Sequence, residues 1–143
     1  MIQINYPPNN FKIKTENNVE FIYDDVRRNW YVLTPEEWVR QNVLNYIIKS
    51  KNFPSSLIAI EKEVKIGQLK KRFDMVVYKN DVPWMLVECK EMNVKINEKV
   101  LTQILSYQSK LQVTFLLLTN GNTNFLFKKI DDNFIEVNEF PNW

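Results

Sequence analysis

A chain of 143 residues, 45% hydrophobic and 13% aromatic, can bury a real core and is too apolar to stay disordered. No histidine, one cysteine and two glycines exclude a Ser-His-Asp triad, a His-based zinc centre, a zinc finger, an internal disulfide, a P-loop and a dinucleotide-binding glycine motif. A net charge of +2 is too mild to demand a nucleic-acid partner, which leaves carboxylates, lysines and amides, helped by a hard metal such as Mg²⁺, to carry any chemistry.

No apolar run approaches the roughly 20 residues needed to cross a bilayer. The opening "MIQINYPPNN" lacks the basic and apolar regions of a signal peptide, and a lone cysteine, Cys89, suits the cytosol. The expectation is a cytoplasmic protein with no membrane partner, a single unit over residues 1–143 with its core at about 34–120. Charge is uneven along it. Between Lys49 and Arg72 seven bases face two acids, Glu61 and Glu63, whereas after Gly121 two lysines face four acids. A basic run is most often a solvated face, and phosphate binding is the alternative.

In chain order, "FKIK" and "VEFIYD" read as a hairpin, and "NWYVL" as a further short strand. Thr34, Pro35 and Glu37 predict a helix start, with Thr34 as N-cap, Pro35 at the first helical position and Glu37 closing a capping box. That helix should reach about Lys49, with Val39, Val43, Tyr46 and Ile47 inward. "LIAIEKEVKI" alternates as a strand with Ile58, Ile60, Val64 and Ile66 on one side, and Gly67-Gln68 marks a turn. Glu61 and Glu63 then face solvent. "RFDMVVYK" and "WMLVECKE" are strands joined through "NDVP".

Asn97 should cap a second helix, stapled by Ile96 and Leu101, with an inner stripe of Val100, Leu101, Ile104, Leu105 and Leu111. "VTFLLLTNG" is a buried strand ending in an Asn-Gly turn, and "FLFKKI" and "FIEVNEF" read as edge strands. Helix, three strands, helix, strand, with strands added at both ends, predicts an α/β fold: a mixed sheet flanked by helices.

"WMLVECKE" contains a contradiction. Its first four residues suit a buried strand, yet Glu88 and Lys90 follow directly, and an unpaired buried ion costs several kcal/mol. A loop centred on Asp81 would pair Tyr78 with Trp84, Val76 with Leu86 and Asp74 with Glu88. Asp74, Glu88 and Lys90 then emerge on one face. Directly opposed Cβ atoms lie about 4.5–5.5 Å apart, so the two carboxylates repel unless a cation sits between them. That cation is either a metal such as Mg²⁺ or a structural partner, Lys90 or Arg72.

Asp74, then Glu88-Cys89-Lys90 on the next strand, then Gln103 and Tyr107 on the following helix, resembles the PD-(D/E)XK nuclease superfamily. More closely, "TPEEWVRQ", "KRFDMVVY", "PWMLVECKE" and "QILSYQ" resemble the N-terminal nuclease domain of type I restriction enzyme R subunits, over about Asp25 to Gly121. The resemblance implies a restriction-endonuclease-like fold, Asp74 and Glu88 as ligands of Mg²⁺ or Mn²⁺, the Cys89 carbonyl as a further ligand, and Lys90 as the catalytic lysine. The family's "PD" is spelled Phe73-Asp74 here.

Gln103 and Tyr107 share a helix face and could line the site mouth, or form a polar helix edge. Glu37 is either an acidic metal ligand drawn from the first helix or only a cap. Lys70, Lys71 and Arg72 are the expected nucleic-acid contacts. Together these readings imply an endonuclease cutting DNA, with separate motor and specificity proteins as possible partners. The rivals are a nuclease fold that binds nucleic acid or protein without cutting, and an RNA or repair-type nuclease.

Overall fold

The computed structural model describes residues 1–106 and 110–143. Two sheets and two α-helices make up the fold. The first sheet has the order β1-β2-β3, from Ile13–Glu16, Val19–Asp24 and Asn29–Val32. Helix α1 follows, Pro35–Asn45. Thr34 lies in extended backbone and its hydroxyl accepts the Glu37 N–H at 3.0 Å, while Pro35 opens the first turn. Val39, Val43 and Ile47 recur every four residues and are buried. Beyond Asn45 the chain widens into a π-helical turn, Tyr46–Ser50, so the expected length is reached with a different ladder.

The second sheet has the order β4-β5-β6-β7-β8-β9, from Ile58–Ile66, Leu69–Lys79, Val82–Cys89, Phe115–Thr119, Asn124–Ile130 and Asn133–Val137. All neighbours are antiparallel except β6 and β7, which run parallel and are joined through α2, Glu98–Leu105. A parallel pair needs such a crossover. Asn97 caps α2 by accepting the Val100 N–H at 3.1 Å.

The strand period of two sorts the core into two layers. Met75, Val77, Met85, Val87 and Leu117 pack with Val39 and Val43 of α1. Val76, Leu86, Leu116 and Leu118 pack with Ile104 of α2. Each helix thus covers one face, which is why every residue of β7 is buried. Truncating a residue such as Leu117 to alanine in this setting costs about 2–5 kcal/mol.

Three expectations need correction. The strand β8 lies inside the sheet between β7 and β9, so the edges are β4 and β9. On β4, Ile58 and Ile60 face the α1 layer, but Val64 and Ile66 face the α2 layer. Between them Glu61 adopts a positive φ of 52° and drops out of the ladder with β5, which turns the strand over. Finally, the β5–β6 turn holds only Asn80 and Asp81, both at positive φ, as a two-residue hairpin requires. Tyr78 therefore pairs with Pro83, not Trp84. An irregularity between Val77 and Tyr78 absorbs the extra residue, and Val76 still meets Leu86.

A carboxylate pair at the open end of the β5–β6 hairpin

Because Met75 pairs with Val87, one further step sets Asp74 beside Glu88, within hydrogen-bonding reach. Both are buried, at 9% and 8% exposure. Two charges 4 Å apart repel by about 4 kcal/mol at an effective dielectric near 20, enough to keep a proton on one of them. The groups divide accordingly. Burial, then the hydrogen bond and charge of Asp74, push the Glu88 carboxyl up to about 7, against the pull of Lys71. Burial would raise Asp74 as well, but hydrogen bonds from Glu88, the Cys89 N–H and Arg40 outweigh it and hold that carboxyl below its usual value.

Asp74 is tightly held. Its Oδ1 accepts from Arg40 Nη2 at 2.6 Å and Nε at 3.1 Å, and its Oδ2 from the Cys89 N–H at 2.7 Å. Glu88 Oε2 accepts from Lys71 Nζ at 2.7 Å, and that ammonium lies 4.9 Å from the Phe73 ring centroid. The cations on the pair are therefore Arg40 and Lys71, and neither Lys90 nor Arg72. Arg72 turns instead to Glu61, reaching its carbonyl at 3.2 Å and its carboxylate at 3.5 Å.

Strand β6 stops at Cys89, one residue before Lys90. The Lys90 N–H donates to the Thr119 carbonyl at 2.8 Å, which ties Lys90 to the end of β7. A cleft of about 210 Å³ opens over the pair, lined also by Glu36, Glu61, Arg72 and Lys90. Half-buried Lys90 pairs with no carboxylate among the described residues.

Behind Asp74 a second cluster runs into α1. Arg40 also bonds Glu37, which accepts from Arg27 Nη2 at 2.6 Å and Gln41 Nε2 at 2.9 Å. Arg27 Nε reaches Asp24 at 2.8 Å, and Gln41 reaches Asp24 at 2.8 Å. Asp24 accepts the Val26 and Arg27 N–H groups too. The expected capping box is only half made: the Thr34 N–H goes to the Val32 carbonyl, and the Glu37 side chain turns inward to the arginines.

Of the remaining candidates, Gln103 is exposed on α2 and away from the cleft lining, and Tyr107 lies outside the described residues. Lys70 lines a neighbouring groove with Glu61, Glu63, Lys62, Lys65 and Arg72. Arg40 was not among the expected site residues, and Glu61, expected to face solvent and indeed exposed, also lines the cleft. Arg40 could have been found from Glu37, Arg40, Gln41 and Leu44, a buried stripe at i, i+3, i+4 and i+7 that begins with three polar residues. Glu61 was signalled by Lys62, which interrupts the apolar alternation of β4.

The donor set suits a small hard cation. Two carboxylates beside the Cys89 peptide match Mg²⁺, which takes one or two carboxylates and keeps water or phosphate for its other positions. No cage of three or more acidic or cysteine side chains forms among the described residues. A divalent ion there would share the two carboxylates with Arg40 and Lys71, which already pair with them.

A mixed sheet covered by one helix on each face, with paired carboxylates and a lysine at the end of its central hairpin, has the architecture of a restriction-type nuclease domain. The chain belongs to the family of the type I restriction enzyme R protein N terminus, which matches residues 35–141. No curated protein and no solved structure gives a significant match. Sheet β1-β2-β3 precedes the matched span. Among the described residues no helix is long and apolar enough to cross a membrane.

Proposed function

We infer that this chain is a metal-dependent endonuclease module that hydrolyses DNA phosphodiesters and works with the motor or specificity components of a restriction system. Asp74, Glu88 and the Cys89 carbonyl would hold Mg²⁺ or Mn²⁺, which when bound supplies charge for the phosphate oxygens and an acidified water. Arg40 and the Cys89 N–H fix the Asp74 carboxylate in one orientation, so little reorganisation is needed for ligation. Glu37 acts through Arg40 as a support, not as a ligand. Lys90 presents an ammonium to the same cleft, where it stabilises charge that builds as the phosphate is attacked.

The observation that carries this reading is the division of labour among the cations. Arg40 and Lys71 neutralise the carboxylates, which leaves Lys90 in the cleft with no structural ion pair among the described residues. A structural charge network would gain nothing from that lysine.

The test is cleavage of supercoiled plasmid and of a single-stranded circle with Mg²⁺, Mn²⁺ or EDTA. Wild type should cut the plasmid with either ion and not in EDTA. Lys90→Ala should cut about 10²–10³-fold more slowly, with DNA affinity nearly unchanged. Cutting that survives EDTA, or a Lys90→Ala variant as fast as wild type, overturns the mechanism. Wild type that binds DNA and cuts neither substrate favours the non-cutting rival.

A further inference from the structure

The outer face of the small sheet carries chemistry that the cleft does not use. Cross-strand register sets Tyr23 opposite Trp30 and Phe21 opposite Val32. Lys14 pairs with Phe21, and the Tyr23 N–H donates to the Lys12 carbonyl, which places Lys12 at the end of the Tyr23–Trp30 rung. Paired residues share a face, so Lys12, Lys14, Phe21, Tyr23 and Trp30 project together. On the opposite face Ile22 and Asp24 are buried and Asp24 is tied to α1 through Gln41, while Ile13 stays 45% exposed.

Phe21, Tyr23 and Trp30 are half-buried on this face, and the exposed part of each ring is open to a partner. The face is open: Val32 is 49% exposed and Val19 40%. Its geometry specifies what could cover it. Tyr23 and Trp30 rings lie 5.3 Å apart. The Lys14 ammonium is 4.5 Å from the Trp30 centroid and 5.9 Å from Phe21, and the Lys12 ammonium is 5.4 Å from Tyr23. Aromatic rings interleaved with ammonium groups at this spacing offer stacking surfaces for bases and counter-charges for the phosphates between them. Among the described residues Glu16 pairs only with Lys14, at 3.0 Å and with its carboxylate exposed, so phosphate can replace it.

We propose that the β1-β2-β3 face binds single-stranded DNA, with unpaired bases stacked on Trp30, Tyr23 and Phe21 and phosphates on Lys12 and Lys14. Duplex DNA keeps its base faces stacked inside and cannot use the rings. The DNA assignment rests on the nuclease reading above and narrows its substrate to DNA carrying an unpaired stretch.

The test uses the full chain and fluorescence anisotropy of labelled dT15, rU15 and a 15-base-pair duplex, in EDTA so that cutting plays no part. Trp30→Leu should weaken dT15 binding about tenfold or more and leave duplex binding unchanged. The double variant Lys12→Gln/Lys14→Gln, which keeps the aliphatic stems and removes no core side chain, spares the fold if Trp30→Leu does not, and should weaken dT15 binding and lower its salt slope by about one. Unchanged dT15 affinity in the double variant overturns the proposal. So does equal loss on the duplex, tighter binding of rU15 than of dT15, or a dimer that Trp30→Leu dissolves, which would give the face to a second copy of the chain. Because the readout is binding, an inactive protein that still binds dT15 through these residues would sink the nuclease reading alone.

Discussion

Two clusters of buried carboxylates are joined by one side chain, Arg40, and differ in how their charge is settled. Around Asp24 and Glu37 cations and amide donors are plentiful. Arg27, Gln41 and two backbone N–H groups serve Asp24, and against the cost of burial they hold its carboxyl below the usual value. Around Asp74 and Glu88 two like charges share one cleft, and Glu88 keeps its proton to about pH 7. Donors outweigh the cost of burial for Asp24 and for Asp74, but not for Glu88, although Lys71 donates to it. On the proposed metal site, the Glu88 proton is the one a bound cation would displace.

The largest expected effect breaks the first cluster. Asp24→Ala removes acceptors from Arg27, Gln41 and two N–H groups and leaves a mostly buried guanidinium short of a partner. It should destabilise the chain by about 3–5 kcal/mol in urea unfolding. A loss below 1 kcal/mol would mean that this cluster is no more structural than the other.

Next comes the pH dependence of the second cluster. The folded Glu88 carboxyl titrates near 7, above its ordinary 4.5, so the native state holds a proton that the unfolded chain has released. That stabilisation is present below pH 4.5 and is lost as pH rises through 7, by up to about 3 kcal/mol. Asp24 and Asp74 have the opposite sign: lowered in the fold, they contribute above their ordinary 3.8 and lose that contribution as pH falls. Stability should therefore peak between these limits and decline from pH 5 to 8. Glu88→Gln should flatten the decline, and urea midpoints that fall equally in wild type and variant contradict the assignment.

The smallest effect concerns the basic edge. Lys70 and Arg72 are exposed beside the cleft, while Lys71 is committed to Glu88. Neutralising Lys70 and Arg72 to glutamine should weaken duplex binding modestly and reduce its salt slope by about one or two, read by anisotropy at several salt concentrations. An unchanged slope places the duplex elsewhere on the molecule.

Much of the fold was legible because local signals agreed with one another. Thr34-Pro35 and Asn97 announced both helices, and the run Phe115–Thr119 could only be a strand buried on two faces. The β5–β6 register near Asp74 also came out as expected, although its turn did not. A bulge between Val77 and Tyr78 offset the two-residue turn, and nothing in the residue types there announces it. What stayed hidden depends on contacts between distant segments. Arg40 meets Asp74 across 34 positions of chain, and Glu37 left its cap because Arg27, ten residues earlier, reaches it through a turn that sequence spacing does not encode. The reversal of β4 at Glu61 belongs to the same kind, since the strand pattern marks a break at Lys62 without saying which way the chain turns.

Calorimetric titration of Mn²⁺ at pH 7.5 into wild type and Glu88→Gln reads directly whether the Asp74–Glu88 pair takes a divalent ion. Wild type should bind one ion with proton release that grows as pH falls toward 7, and Glu88→Gln should bind at least tenfold more weakly with no coupled proton. Equal affinity in the two proteins, or no Mn²⁺ bound by wild type, contradicts the account.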